Sequence, residues 1–195
     1  MIMTNEDKSL VRPLQVTSNI PPDARDLLDE VEPRNVEQKR YIELLSRIVD
    51  GDMKNLTVCG TEGNGKTYLA CCALTKYLLI HAQSPRTPFY VTQSEMNMMF
   101  RSAMHGDGTE YGLFQKFVDY SVLVIDEVGR SKNSDYQMET IEAIISKRYA
   151  WKRPTVIISN DSAEELRNLF DRHILDRLAT GGTIEMKGKS QRRAK

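Results

Sequence analysis

The chain is poor in cysteine, with three in 195 residues, and Cys71 and Cys72 are adjacent. An odd number so placed excludes a disulfide framework. Neither charge is in excess: 27 Lys and Arg stand against 27 Asp and Glu, so bulk electrostatics names no partner. No stretch approaches the ~20 apolar residues needed to span a bilayer, and no membrane partner is expected. The N-terminus, Met1-Ile2-Met3-Thr4-Asn5-Glu6-Asp7-Lys8, carries acids and polar groups where a signal peptide needs a basic patch and an apolar run. His81, His105 and His173 are dispersed and no Cys-x-x-Cys pair exists, which speaks against a metal centre or a histidine-based triad. The three cysteines read as core thiols. Repeats and low-complexity tracts are missing as well. Together these absences point to a soluble, reduced, cytoplasmic setting. The 40% apolar and 28% charged residues suit one globular domain with a short appendage.

Residues 1–35 differ from the rest of the chain. Four of the seven prolines, Pro13, Pro21, Pro22 and Pro33, fall there, which argues against one continuous helix. Between the breaks, residues 23–31 can form only a short acidic helix, marginal on its own in water. The segment therefore reads as a short acidic, proline-broken arm, either floppy or docking on a partner. Residues 36–195 are regular. A helix over 37–49 leads to a buried strand at 55–59, a glycine loop and a long helix from Lys66 to about Ala82. A strand at 88–92 precedes a Met-rich helix that Ser94 is placed to cap. Its Met96, Met98 and Met99 read as core. A short helix over 110–119, a strand at 121–125 and a helix over 135–150 come next. A strand at 154–159, two short helices over 162–179 and a strand at 183–186 complete the order. Strands of about five residues alternating with helices predict a parallel sheet covered on both faces.

The strongest chemical signal is Gly60-Thr61-Glu62-Gly63-Asn64-Gly65-Lys66-Thr67, a full P-loop pattern between a strand and a helix. Glycines let the backbone ring phosphate oxygens with N–H donors. The helix beyond the loop presents its positive end to the same anion. Lys66 supplies a mobile charge for the outer phosphates, Thr67 a hydroxyl for Mg²⁺, and Tyr68 is the next residue along. A second signal is the apolar strand ending in Asp126-Glu127, because carboxylates at a buried strand end are costly without a task. Asp126 is suited to hold Mg²⁺, and Glu127 to orient and deprotonate the attacking water. Asn160, at the end of the next strand, is placed to hydrogen-bond that water or the γ-phosphate. It also reads as a cap for the helix after it, and the two roles are compatible. With no Asn-Lys-x-Asp guanine-reading motif, ATP is favoured over GTP.

The order P-loop, Asp-Glu strand, Ser159-Asn160 strand end, Ile174-Leu-Asp-Arg-Leu178 and Gly188-Lys-Ser-Gln-Arg192 resembles the AAA+ ATPases of the DnaC helicase-loader branch. That branch also holds the IstB transposition helpers and phage or prophage relatives. The resemblance covers about residues 36–195 and implies a five-stranded parallel sheet in the order 5-1-4-3-2, without a C-terminal lid domain. It implies that Arg177 is an arginine finger reaching a neighbouring subunit's nucleotide, and that Arg192 acts on the nucleotide of its own subunit. Read without the resemblance, Arg172 and Arg177 are solvated helix residues. It further implies single-stranded DNA contacts by Arg101, Ser134 and Tyr136, near the basic Arg130 and Lys132. Tyr136 equally reads as packing at the foot of a helix, and Met104 stands where an aromatic contact is known in the branch. Cellular loaders carry a helical, helicase-gripping domain ahead of the ATPase, where this chain has about 35 residues. The expectation is therefore a protein that does not load a helicase unaided and self-associates only with ATP and DNA. Three functions stay open: an ATPase that helps load a replicative DNA helicase onto single-stranded DNA, an IstB-type transposition helper on duplex DNA, and a non-catalytic decoy that caps a helicase or loader.

Overall fold

The computed structural model describes residues 5–106, 109–129 and 135–187. Among them the elements run α1 (Asn5–Thr17), α2 (Val36–Val49), β1 (Asn55–Gly60), α3 (Lys66–Ile80), β2 (Phe89–Thr92), α4 (Gln93–Met104) and α5 (Glu110–Asp119). They continue with β3 (Leu123–Asp126), α6 (Asp135–Ala150), β4 (Thr155–Ile158), α7 (Ala163–Leu169), α8 (Arg172–Ala179) and β5 (Gly182–Met186). The five strands form one all-parallel sheet in the order β2-β3-β4-β1-β5. This is the expected 5-1-4-3-2 order and the expected α/β class.

The two-residue period of the strands sorts the core into two layers. Val124, Val156, Ile158, Leu56 and Val58 face α2 and α3, packing on Tyr41, Leu45, Leu69 and Leu74. Leu123, Ile125, Ile157 and Val91 face the other way, onto Phe100, Phe117, Ile141, Ile144 and Ile174. In β1, β3 and β4 both faces are buried, which is why these strands read as largely apolar runs, whereas the edge strand β5 alternates.

The N-terminal segment departs from expectation. It is neither a floppy arm nor a helix over 23–31: α1 runs through Pro13, and only two short 3-10 turns come after it, at Pro22–Ala24 and Leu28–Glu30. Val11, Ile20, Ala24, Leu27 and Leu28 are buried. The Gln15 side-chain amide donates to Thr75 Oγ1 at 3.1 Å, and the Tyr90 N–H donates to Ser18 O at 3.0 Å. Judged piece by piece, each segment is too short to stand alone. Tertiary burial against α3 supplies what local propensity lacks.

Helix starts also shift. Thr92, not Ser94, caps α4: its Oγ1 accepts the Glu95 N–H at 3.1 Å while Glu95 Oε2 accepts the Thr92 N–H at 2.9 Å. Ser162 plays that part for α7, so Asn160 is not its cap. Of the Met-rich helix, Met96 is buried, Met99 packs at the core edge and Met98 is exposed. Cys59, Cys71 and Cys72 are buried free thiols. No helix among the described residues is long and apolar enough to cross a membrane.

Candidate nucleotide site

In a parallel α/β sheet the loops after the strands gather at one end, and ligands bind in the crevice they form. Here the loops after β1, β3 and β4 meet around a crevice of about 1020 Å³. Glu62, Gly63, Gly65, Lys66, Thr67 and Tyr68 line one side, with Asp126, Glu127 and Asn160 opposite.

The loop between β1 and α3 has the backbone its glycines allow. Gly60 has φ +114°, Gly63 +81° and Gly65 +82°, values that side chains with a Cβ rarely adopt. At Gly60 a Cβ would also lie 2.3 Å from Met186 O of β5, so the loop enters against the neighbouring strand. Gly65 begins α3 with no side-chain cap, which leaves the first-turn N–H groups available to an anion. Gly60, Thr61 and Asn64 support the loop from behind. The Asn64 amide, almost fully buried, donates to Thr61 Oγ1 at 2.8 Å and to Met186 O at 3.2 Å. The Gly60 N–H donates to Asp161 O at 3.0 Å, tying the loop to the end of β4. Lys66 Nζ donates to Gly60 O at 2.7 Å and Thr61 O at 2.8 Å. Burial lowers its pKa, and the charges of Asp126, Cys59 and Glu62 act the other way.

Asp126 ends β3 almost fully buried. Its Oδ2 accepts from Thr67 Oγ1 at 2.6 Å and from the Tyr90 hydroxyl at 3.1 Å, and its Oδ1 accepts the Glu127 N–H at 2.7 Å. Glu127 holds a left-handed backbone, φ +55°, an uncommon state for a residue with a side chain and one that clusters at functional sites. Burial and the Asp126 charge raise the pKa of Tyr90, which stays a neutral donor to that carboxylate. Thr67 and Asp126 bring two hard oxygen donors together in a sheltered corner, a fit for Mg²⁺. The strand end beside them is pinned: Ser159 Oγ donates to Val128 O at 2.6 Å and accepts the Asp161 N–H at 3.1 Å.

Other expected residues lie elsewhere. Arg177 is at the far end of the sheet, where its carbonyl accepts from Asn55 Nδ2 at 3.0 Å at the start of β1. Its guanidinium bonds Ser146 Oγ and sits 6.0 Å from the Tyr149 ring centroid, so it does not serve its own crevice. Arg101 is exposed on the last turn of α4. Tyr136, partly exposed at the start of α6, donates its hydroxyl to Glu110 of α5. Ser134 and Arg192, like Arg130, Lys132 and the stretch from Gly188, lie outside the described residues.

Sequence reasoning missed part of the wall. Pro21, Asp23, Ala24, Glu30, Val31 and Arg34 line the same crevice. The Tyr68 hydroxyl holds that segment through Asp26 Oδ2 at 2.6 Å, and Lys76 Nζ meets Asp29 at 2.7 Å. Gln38 was missed as well: its side chain donates to Asn64 O at 3.0 Å, while its N–H donates to the Asn35 cap at 2.8 Å. The Asn35-x-x-Gln38 spacing, a capping-box signature, was the available signal. Tyr90 left no such trace.

Known proteins resemble this chain in sequence and in fold. The model of the family described as IstB-like ATP binding protein matches residues 12–195. The replicative helicase loader DnaC of Escherichia coli is 29% identical over 136 residues, 69% of this chain and 54% of that protein. DnaC of Buchnera aphidicola subsp. Schizaphis graminum is 28% identical over 148 residues, 75% of this chain and 57% of that one. The chain thus spans about half the length of the curated relatives it matches. A crystal structure of the DnaC helicase loader superposes with TM-score 0.68 at 25% identity, covering 83% of this chain and 96% of that one. AMPPCP-bound DnaA from Aquifex aeolicus gives TM-score 0.72 at 16% identity over 86% of this chain and 51% of that chain, a likeness of fold.

Proposed function

The chain belongs to the IstB-like ATP-binding proteins, and from that premise we propose that it hydrolyses ATP to help place a replicative ring helicase on single-stranded DNA. The observation that carries the ATPase part is the Thr67–Asp126 contact across the mouth of the glycine loop. It joins the first turn of α3 to the end of β3, where a triphosphate and its cation have to meet. The main-chain amides of residues 62–65 and the start of α3 bind the phosphates, and Lys66 exchanges its loop carbonyls for phosphate oxygens. Thr67 and Asp126 hold Mg²⁺, which when bound neutralises charge on the transferring phosphoryl group. Glu127 accepts the proton of the attacking water, and Asn160 orients that water or the γ-phosphate. Arg177, turned away from its own crevice, completes a neighbour's site in an assembly that ATP and DNA bring about. Arg101 and Tyr136 contact the single strand, together with Ser134. In the same reading Arg192 touches the nucleotide of its own subunit and the protein works in the cytoplasm.

The helicase part rests on the likeness to the DnaC loaders. Affinity capture of purified replicative helicase by this protein, with ATP and in parallel with ADP, tests it. Nucleotide-dependent capture together with ATPase stimulated by single-stranded DNA is the expected result. Stimulation by duplex alone, without capture, replaces it with the transposition-helper reading. Capture with negligible ATPase replaces it with the decoy.

A further inference from the structure

The opposite end of the sheet carries a second feature that the nucleotide crevice does not explain. Loops entering the strands there flank an open cavity of about 440 Å³, lined by Tyr77, Ser84, Arg86, Ser121, Trp151 and Arg153. Ser121 precedes β3 and Asp126 ends it, so the two sites stand about 16 Å apart along that strand. The lining is one-sided in its chemistry. Two guanidinium groups, two aromatic rings and three hydroxyls line the cavity, and the Asp119 carboxylate pairs with Arg153 from outside the lining.

Each part is held in place. Trp151, half-exposed, has Arg153 4.7 Å and Lys147 5.3 Å from its ring centroid. Arg153 is anchored by Val118 O and by Asp119 Oδ1, the latter at 2.6 Å. Arg148 lies beneath, fully buried, donating to Phe117 O at 3.0 Å, Val118 O at 3.1 Å and Tyr120 O at 2.8 Å. It carries its positive charge on main-chain carbonyls. The Ser121 hydroxyl is buried with no hydrogen-bond partner. A buried donor left unmet beside a cavity is costly, and a small shift of the wall would open it to a ligand oxygen. A planar ring wants the aromatic faces, and an anion wants the guanidinium groups and the orphan hydroxyl.

We propose that the Trp151–Arg86–Ser121 cavity is a second binding site for a nucleotide unit, taking phosphate on the arginines and Ser121 and the base against Trp151. A nucleotide within a single strand and a free mononucleotide share this chemistry. The site does not depend on the P-loop, so the proposal stands or falls apart from the ATPase reading.

Trp151 is the sole tryptophan of the chain, so intrinsic fluorescence reports on the cavity directly. The Lys66→Ala protein, disabled at the P-loop, is titrated with a ten-residue oligothymidylate and, separately, with ADP. Saturable quenching by the oligonucleotide, weakening as salt rises, assigns the site to a strand. Quenching by ADP as well extends it to free nucleotides. Arg86→Glu, at an exposed loop position, should weaken binding about tenfold or more by removing a phosphate contact, with unchanged circular dichroism. Ser121→Ala should weaken it to a lesser extent. An unchanged Trp151 signal with both ligands overturns the proposal. So does oligonucleotide affinity, read by anisotropy of a labelled strand, that Arg86→Glu leaves intact.

Discussion

Two residues define opposite uses of a buried cation. Lys66 is desolvated next to Asp126, with its ammonium resting on loop carbonyls that phosphate oxygens can replace. Lys66→Ala should therefore abolish ATP binding, as isothermal titration would read. Glu127→Gln should bind ATP at near wild-type affinity yet fail to release phosphate, because the proton acceptor is gone while the cradle stays. Hydrolysis surviving in both variants would defeat the assignment. Arg148 is the counter-case. Burial, reinforced by the nearby Arg153 charge, lowers its pKa to about 9, which leaves it charged at neutral pH. Its guanidinium closes the carbonyls at the end of α5 and the start of β4. Arg148→Ala should cost roughly 3–5 kcal/mol, because several buried carbonyls lose their donor at once and a cavity is left. The matching fall in Tm is roughly 10 °C in a chain of this size. A shift within 2 °C would show the network to be dispensable. The first residue was legible in the sequence because local spacing sets the P-loop chemistry. The second was not: on a helix that also shows charged residues to solvent, nothing local marks which arginine turns inward.

At the scale of elements, what was legible had a period. The four strands β1 to β4 were anticipated because a parallel strand buried on both faces leaves an apolar run that no loop imitates, and β5, at the edge, by its alternation of buried Ile184 and Met186 with less buried neighbours. The Asp126-Glu127 and Ser159-Asn160 positions were readable from where such runs end. The start of α4 shows where reading failed. Ser94 opens the Met-rich pattern, yet Thr92-x-x-Glu95 carries the reciprocal pair of bonds, and Ser94 is left exposed. Thr92→Ala should lose about 1 kcal/mol, with Tm falling by about 2–4 °C, whereas Ser94→Ala should melt like the parent. Equal melting of the two variants would contradict the cap seen here. The N-terminal segment was misjudged for a related reason. Its stability belongs to α3, and short-range propensity carries no information about a surface 50 residues further along the chain.

At the scale of the molecule, the parallel sheet separates tasks by distance. Nucleotide chemistry gathers at one end, while Arg177 and the Trp151 cavity lie toward the other. Arg177 so placed is turned away from the P-loop crevice of its own chain, which is what the proposed role in trans requires. Arg177→Ala should therefore keep the ATP affinity of a single subunit and lose turnover stimulated by DNA. Mixing it with Lys66→Ala subunits should restore part of that turnover, because each variant supplies what the other lacks. Unchanged turnover in the single variant would remove the role in trans.

The segment laced to α3 through Asp26 and Asp29 has one more effect. Because it walls the crevice, whatever fills the crevice is enclosed partly by the beginning of the chain. Arg25 and Arg34 lie on that lace, and Arg34 is exposed, so trypsin has a natural cut there. Saturating ATP analogue should lengthen the half-life of the bond after Arg34 several-fold in a timed digest, with no such protection in Lys66→Ala. Residues 21–34 would then be a seal whose tightness a gel can record.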